Sequence, residues 1–159
     1  KLPYLRLSQE VSRANKQGAR SGAETHSLCA LDPEIFDLTS CRNPKTVDGK
    51  KIDGIDYSFS SNKSFQRRAA NQEDWMLVSI YYAPELWEAF FDPDCIRFDE
   101  LYDKVLNDES IPKKIVKALD LLVHVVQNQQ ETGREYDTDI TEINYHTPLK
   151  ETVYHSNLC

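Results

Sequence analysis

Between Ser110 and Gly133 the apolar residues recur with the period of a helix, and this stretch constrains the fold more than any other. Ser110 is a good N-cap, Pro112 falls in the first turn where its missing N–H is harmless, and Gly133 supplies a stop. The spacing predicts a helix from Ile111 to about Gln130. Ile111, Ile115, Ala118, Leu119, Leu122, Val123 and Val126 would form its buried face, and Lys113, Lys117, Asp120, His124, Gln127 and Asn128 its wet face. Asp120 and His124, four residues apart on that wet face, read as a solvated ion pair.

Shorter helices are predicted upstream. Phe98 to Asn107 carries an apolar stripe, with Asp99 and Glu100 near the positive helix end. Pro84 opens a helix through Phe91 whose Leu86, Trp87, Phe90 and Phe91 read as core. Trp75 to Tyr82 reads as a helix behind an acidic first turn, although Val78, Ile80, Tyr81 and Tyr82 would also suit a buried strand. Pro33 to Leu38 suggests one helical turn. Val47 to Lys51 reads as a tight turn leading into the alternating Ile52, Ile55, Tyr57 and Phe59, a strand or a structured loop.

The tail repeats itself. Tyr136-Asp137-Thr138-Asp139-Ile140, Tyr145-His146-Thr147-Pro148-Leu149 and Tyr154-His155-Ser156-Asn157-Leu158 recur every nine residues. Nine residues advance a helix by a half-integral number of turns, whereas an extended chain puts positions one, three and five on one face. The repeat therefore predicts short strands or an extended tail gripping a surface, and Pro148 favours the tail.

Charge is divided along the chain. Residues 1–72 hold 12 Lys/Arg against 8 Asp/Glu, and residues 73–159 hold 7 against 18. Arg6, Arg13, Lys16 and Arg20, in a stretch rich in Ser, Asn, Gln and Gly, read as a basic arm able to meet phosphate or the acidic half of another copy. In 159 residues, 40% apolar and with only 12 Gly plus Pro, neither a disordered nor a collagen-like class fits, and no apolar run is long enough to span a membrane, so a soluble protein is expected. The expectation is a mainly α protein: a basic arm over 1–32, a compact helical core over 33–133 and an extended or short-β tail over 134–159.

Patterns that carry chemistry are sparse. Four cysteines form neither a dense disulfide framework nor a closely spaced metal motif; Cys29 and Cys41 could be thiols, or could close a loop of about a dozen residues worth roughly 3 kcal/mol. The four histidines lack metal-ligand spacing, and there is no phosphate-cradling glycine loop or nucleophile elbow. Asp92, Asp94, Asp99, Glu100 and Asp103 match no calcium loop and are explained by helix starts and turns. Glu34 with Asp48-Gly49-Lys50 faintly resembles the carboxylates and lysine of metal-dependent nucleases, and Asn62-Lys63-Ser64 is a formal glycosylation acceptor.

These residues point to a non-catalytic assembly or structural subunit with no catalytic residues, metal or cofactor. It would bind a protein partner or itself through Arg6, Arg13, Lys16, Arg20, Tyr136, Tyr145 and Tyr154. Nucleic-acid binding through the arm is the alternative reading, and a metal-dependent nuclease or hydrolase a more remote one.

Overall fold

The computed structural model describes residues 1–155, with backbone alone for Lys16, Gln17 and Ser21. Helix α1 (Leu2–Ala14) leads into a two-residue hairpin, β1 (Lys16–Gln17) and β2 (Arg20–Ser21). Strand β3 (Thr25–Cys29), helix α2 (Ile35–Ser40) and strand β4 (Asp56–Ser61) make a βαβ unit. Helix α3 (Lys63–Ala70), strand β5 (Asp74–Val78), helices α4 (Pro84–Ala89) and α5 (Ile96–Asn107), and strand β6 (Lys113–Lys117) follow. Helix α6 (Ala118–Thr132), strand β7 (Glu135–Asp139) and helix α7 (Ile140–His146) complete the described elements.

The organising feature is a parallel sheet in the order β3-β4-β7. Leu28 lies opposite Phe59, Tyr57 opposite Glu135 and Ser60 opposite Thr138. This overturns the expectation of a mainly α chain: the fold is α/β, and the supposed arm and tail each contribute a sheet strand. Parallel neighbours must be delivered by crossovers, so strands far apart in sequence meet, and nothing in their local patterns announces it. A second, antiparallel pair joins β5 to β6 with Met76 opposite Ile115.

That pair explains two further corrections. Trp75 to Val78 is strand rather than helix, buried on both faces and hence continuously apolar. The long helix begins at Ala118, because Lys113–Lys117 is taken into the β5 pairing. Its far end falls where expected: Gly133 adopts φ 64° and its N–H donates to Gln129 O at 2.8 Å. Helices α4 and α5 occupy the two segments read as helical, and α2 replaces the single turn near Pro33.

One face of the sheet is apolar. Phe59 stands edge-on to Phe65 at 5.7 Å, Phe65 to Trp75 at 5.0 Å, and Trp75 stacks on Tyr102 at 5.2 Å. Their polar atoms are matched: Trp75 Nε1 donates to Ala30 O at 2.8 Å, and the Met76 N–H donates to the Tyr102 hydroxyl at 2.6 Å. The buried core extends from Leu5 of α1 to Ile140 of α7. Helix α1 is fastened by Gln9, whose Oε1 accepts the Gly54 N–H at 2.7 Å; a Cβ at Gly54 would stand 2.6 Å from that oxygen.

Cys29 and Cys41 are free, buried thiols, so neither of the two is tied in a disulfide. Burial pushes the Cys41 thiol up to about 11 and the Cys29 thiol well above the usual thiol range. The acceptor sequence at Asn62 is no glycan site in this fold. Asn62 is fully buried as the N-cap of α3, its Oδ1 accepting the Phe65 N–H at 2.9 Å while Nδ2 donates to Phe90 O at 3.4 Å. Replacing Asn62 by Ala leaves both partners unpaired in the core, and urea unfolding is expected to show a loss of about 1–2 kcal/mol.

Candidate functional site

Side chains alternate along a strand, so the face of the sheet opposite the aromatic core is set by the same register. It carries Ser27 and Cys29 from β3, Ser58 and Ser60 from β4, and Tyr136 and Thr138 from β7. Ser27 Oγ lies 2.7 Å from Ser60 Oγ, and Ser58 Oγ lies 2.7 Å from Thr138 Oγ1. A hydroxyl has one proton and two lone pairs. Each pair uses one proton internally and keeps one O–H to donate outward, together with free lone pairs. Ser58 and Ser60 are buried, Ser27 is exposed and Thr138 half-buried, so the outer member of each pair can donate to or accept from a polyhydroxylated ligand while the inner one backs it.

All three strands run the same way, so Cys29, Ser61 and Asp139 end the sheet together, at the edge where parallel sheets place their ligands. Beside the end of β3 opens a cleft of about 310 Å³. Cys29, Ser60 and Asp32 line its polar side and Trp87, Phe91 and Tyr154 its aromatic side. Trp87 is held by its Nε1, which donates to Val78 O at 3.0 Å. The buried Asp32 pairs with the Lys1 ammonium and accepts the Glu34 N–H at 2.9 Å.

Residues singled out from the sequence are scattered. Arg6 donates to Gly49 O; Arg13 pairs with Glu10 at 2.9 Å and Asp53 at 3.6 Å. Lys16 lies on β1, its side chain outside the described residues, and Arg20 lies exposed on β2. The three tyrosines share no surface. Tyr136 is 41% exposed on the hydroxyl face, Tyr145 is 66% exposed on α7, and Tyr154 is 55% exposed against Phe91. Of their nine-residue units, the first is strand as far as Asp139, and the second is helix at Tyr145 and His146 and irregular from Thr147. In the third, Tyr154 and His155 are irregular, with Ser156, Asn157 and Leu158 outside the described residues. Glu34 is exposed at the start of α2, and Lys50 pairs with Asp37 at 2.8 Å. Among the described residues no group of three His, Cys, Asp or Glu could hold a metal. His124 turns from Asp120 toward α2, within 3.1 Å of Ser40 Oγ, with its ring 4.9 Å from Phe36.

The whole chain, residues 1–159, matches the family described as ribonucleotide reductase, barrel domain. The chain belongs to that family. It is 33% identical over 159 residues to the ribonucleoside-diphosphate reductase 1 subunit alpha of Escherichia coli, covering 98% of this chain and 21% of the relative. With the subunit alpha of enterobacteria phage T4 it shares 29% over 163 residues, covering 99% and 22%, and with the large subunit of Danio rerio 27% over 137 residues, covering 85% and 17%. The chain spans about a fifth of the length of these relatives.

Membership in a reductase barrel family overturns the reading of a non-catalytic, structural, protein-binding subunit, and with it the nucleic-acid and nuclease alternatives. No described helix is long and apolar enough to cross a membrane. The hydroxyl face was not legible in the sequence because its groups belong to strands 33 to 80 residues apart, as in the Ser27–Ser60 and Ser58–Thr138 pairs. One signal was present: Asp56, Ser58 and Ser60 alternate with Tyr57 and Phe59, the pattern of a strand with a hydroxyl face and an apolar face.

On the apolar face of the barrel-domain sheet one group stands out. Glu135, opposite Tyr57, is 7% exposed and neither carboxylate oxygen has a hydrogen-bond partner. Burial, and then the Asp137 charge, push it up to about 8 from an ordinary value of 4.5. Between those values the native state holds a proton that the unfolded chain has released, so stability is fully present below 4.5 and falls as pH rises through about 8. Glu135→Gln is expected to match the parent near pH 4 and to exceed it by on the order of a few kcal/mol above pH 8, read from urea unfolding across pH. Identical pH slopes for the two proteins would contradict the assignment.

Proposed function

We propose that this chain forms part of the nucleotide-binding barrel of a ribonucleoside-diphosphate reductase large subunit. The observation that carries the reading is the family match across all 159 residues. The hydroxyl face and the cleft beside the end of β3, which Ser27, Cys29 and Ser60 line, support it, because a ribonucleoside diphosphate presents sugar hydroxyls and an aromatic base. In this reading the Ser27–Ser60 and Ser58–Thr138 pairs bind and orient the sugar, and Trp87, Phe91 and Tyr154 shield the base from water. The buried thiol of Cys29 stays protonated beside them.

A protein partner belongs to the proposal as well. The relatives are named as an alpha or a large subunit, which supports assembly with a second kind of chain. Arg20 and Tyr145, both exposed on the described surface, are candidate contacts.

The test is steady-state reduction of a ribonucleoside diphosphate by the intact subunit and its companion, comparing the parent with Ser58→Ala and Ser60→Ala. Each substitution removes the buried member of one hydroxyl pair without adding volume, freeing its partner Thr138 or Ser27, so KM is expected to rise about tenfold with the fold intact by circular dichroism. Unchanged KM in both variants would remove the hydroxyl face from the binding site.

A further inference from the structure

We propose that Asn144 is a positioning residue, whose single amide clamps the segment carrying Tyr154 so that the tyrosine ring forms a wall of the cleft. The inference rests on the nucleotide-binding reading above and assigns a task to a residue outside the sheet. Asn144 lies in α7 and is half-buried. Its Oδ1 accepts the Val153 N–H at 2.8 Å, and its Nδ2 donates to Val153 O and to Phe91 O, each at 3.0 Å. One side chain therefore exchanges both bonds with Val153, as a neighbouring strand would, and ties that residue to the end of the α4 segment.

Nothing else described performs this task. Among the described residues, Asn144 makes every hydrogen bond that 150–154 receive. The next residue is Tyr154, whose ring meets Phe91 edge-on at 5.0 Å, and both rings line the cleft. The amide thus fixes the two partners of one aromatic contact, Phe91 through its carbonyl and Tyr154 through its neighbour. The chemistry is specific to asparagine: a carboxylate lacks both donors, and a glutamine adds a methylene that displaces the three bonds together.

The experiment uses the intact subunit, with hydrogen exchange of the Val153 amide as one readout and kinetics with CDP as the other. In Asn144→Ala the amide should exchange at least about tenfold faster, and KM for CDP should rise about tenfold with kcat within about twofold. Asn144→Asp keeps the acceptor and so should keep protection at Val153 while losing the tie to Phe91, with an intermediate KM. Tyr154→Ala should raise KM similarly with Val153 still protected, which separates the ring from the clamp. Unchanged exchange in Asn144→Ala overturns the clamp; faster exchange with unchanged KM overturns its role in binding. A parent subunit that neither binds nor reduces any ribonucleoside diphosphate overturns the functional reading instead, and the exchange measurement still decides the clamp.

Discussion

The structure depends on the pairing of β4 with two parallel neighbours. Residues 56–61 are bonded to β3 on one side and β7 on the other, so nearly every residue of this strand is removed from water. Because its side chains alternate, one strand performs two tasks at once. Phe59 meets Phe65 and through it Trp75, and Tyr57 is buried on the same face, while Ser58 and Ser60 hold the hydroxyls of Thr138 and Ser27. A shift of register by one residue would put phenyl rings on the polar face and serines in the core, so packing and site share one constraint.

Buried polar groups show how tightly this constraint is enforced. Asn62 follows β4 and caps α3 with its amide bonded at both ends, which fixes the corner between strand and helix. Asn144 uses the same chemistry to hold an irregular segment beside the cleft. Glu135 departs from this, with both carboxylate oxygens buried and unpartnered. The core accommodates it by keeping its proton to about pH 8, since a neutral acid costs far less to bury than a carboxylate.

Much of the secondary structure was legible in the sequence wherever a local rule decides it. Gly133 ends α6 because only a residue without Cβ adopts φ 64° freely, and Pro84 opens α4 because its ring suits a first turn. The apolar stripe of α5 follows from helical period and burial on one side. The face of α6 does not: Ala118, Leu121, Val125 and Asn128 are buried, whereas Ile115, Val123 and Val126, expected in the core, are exposed, because packing on α2 and the Asn43–Asn128 bond set which side of the helix turns inward. Local rules failed where two segments compete for a third. Lys113–Lys117 continues the helical period of the following segment, yet the backbone of β5 draws it into a strand. The tyrosine repeat is real as spelling but not as structure, since its first unit joins β4, its second winds into α7 and its third begins beside Phe91.

By itself the sequence determined the glycine stop of α6, the proline start of α4 and the alternation of β4, because each depends on residues within one or two turns of one another. The tertiary structure alone decided that β3, β4 and β7 share a sheet and that four hydroxyls face one way. It also decided that Asn144 reaches Phe91 and Val153. These contacts join residues 9 to 80 positions apart, and their energy exists only once the crossovers have closed.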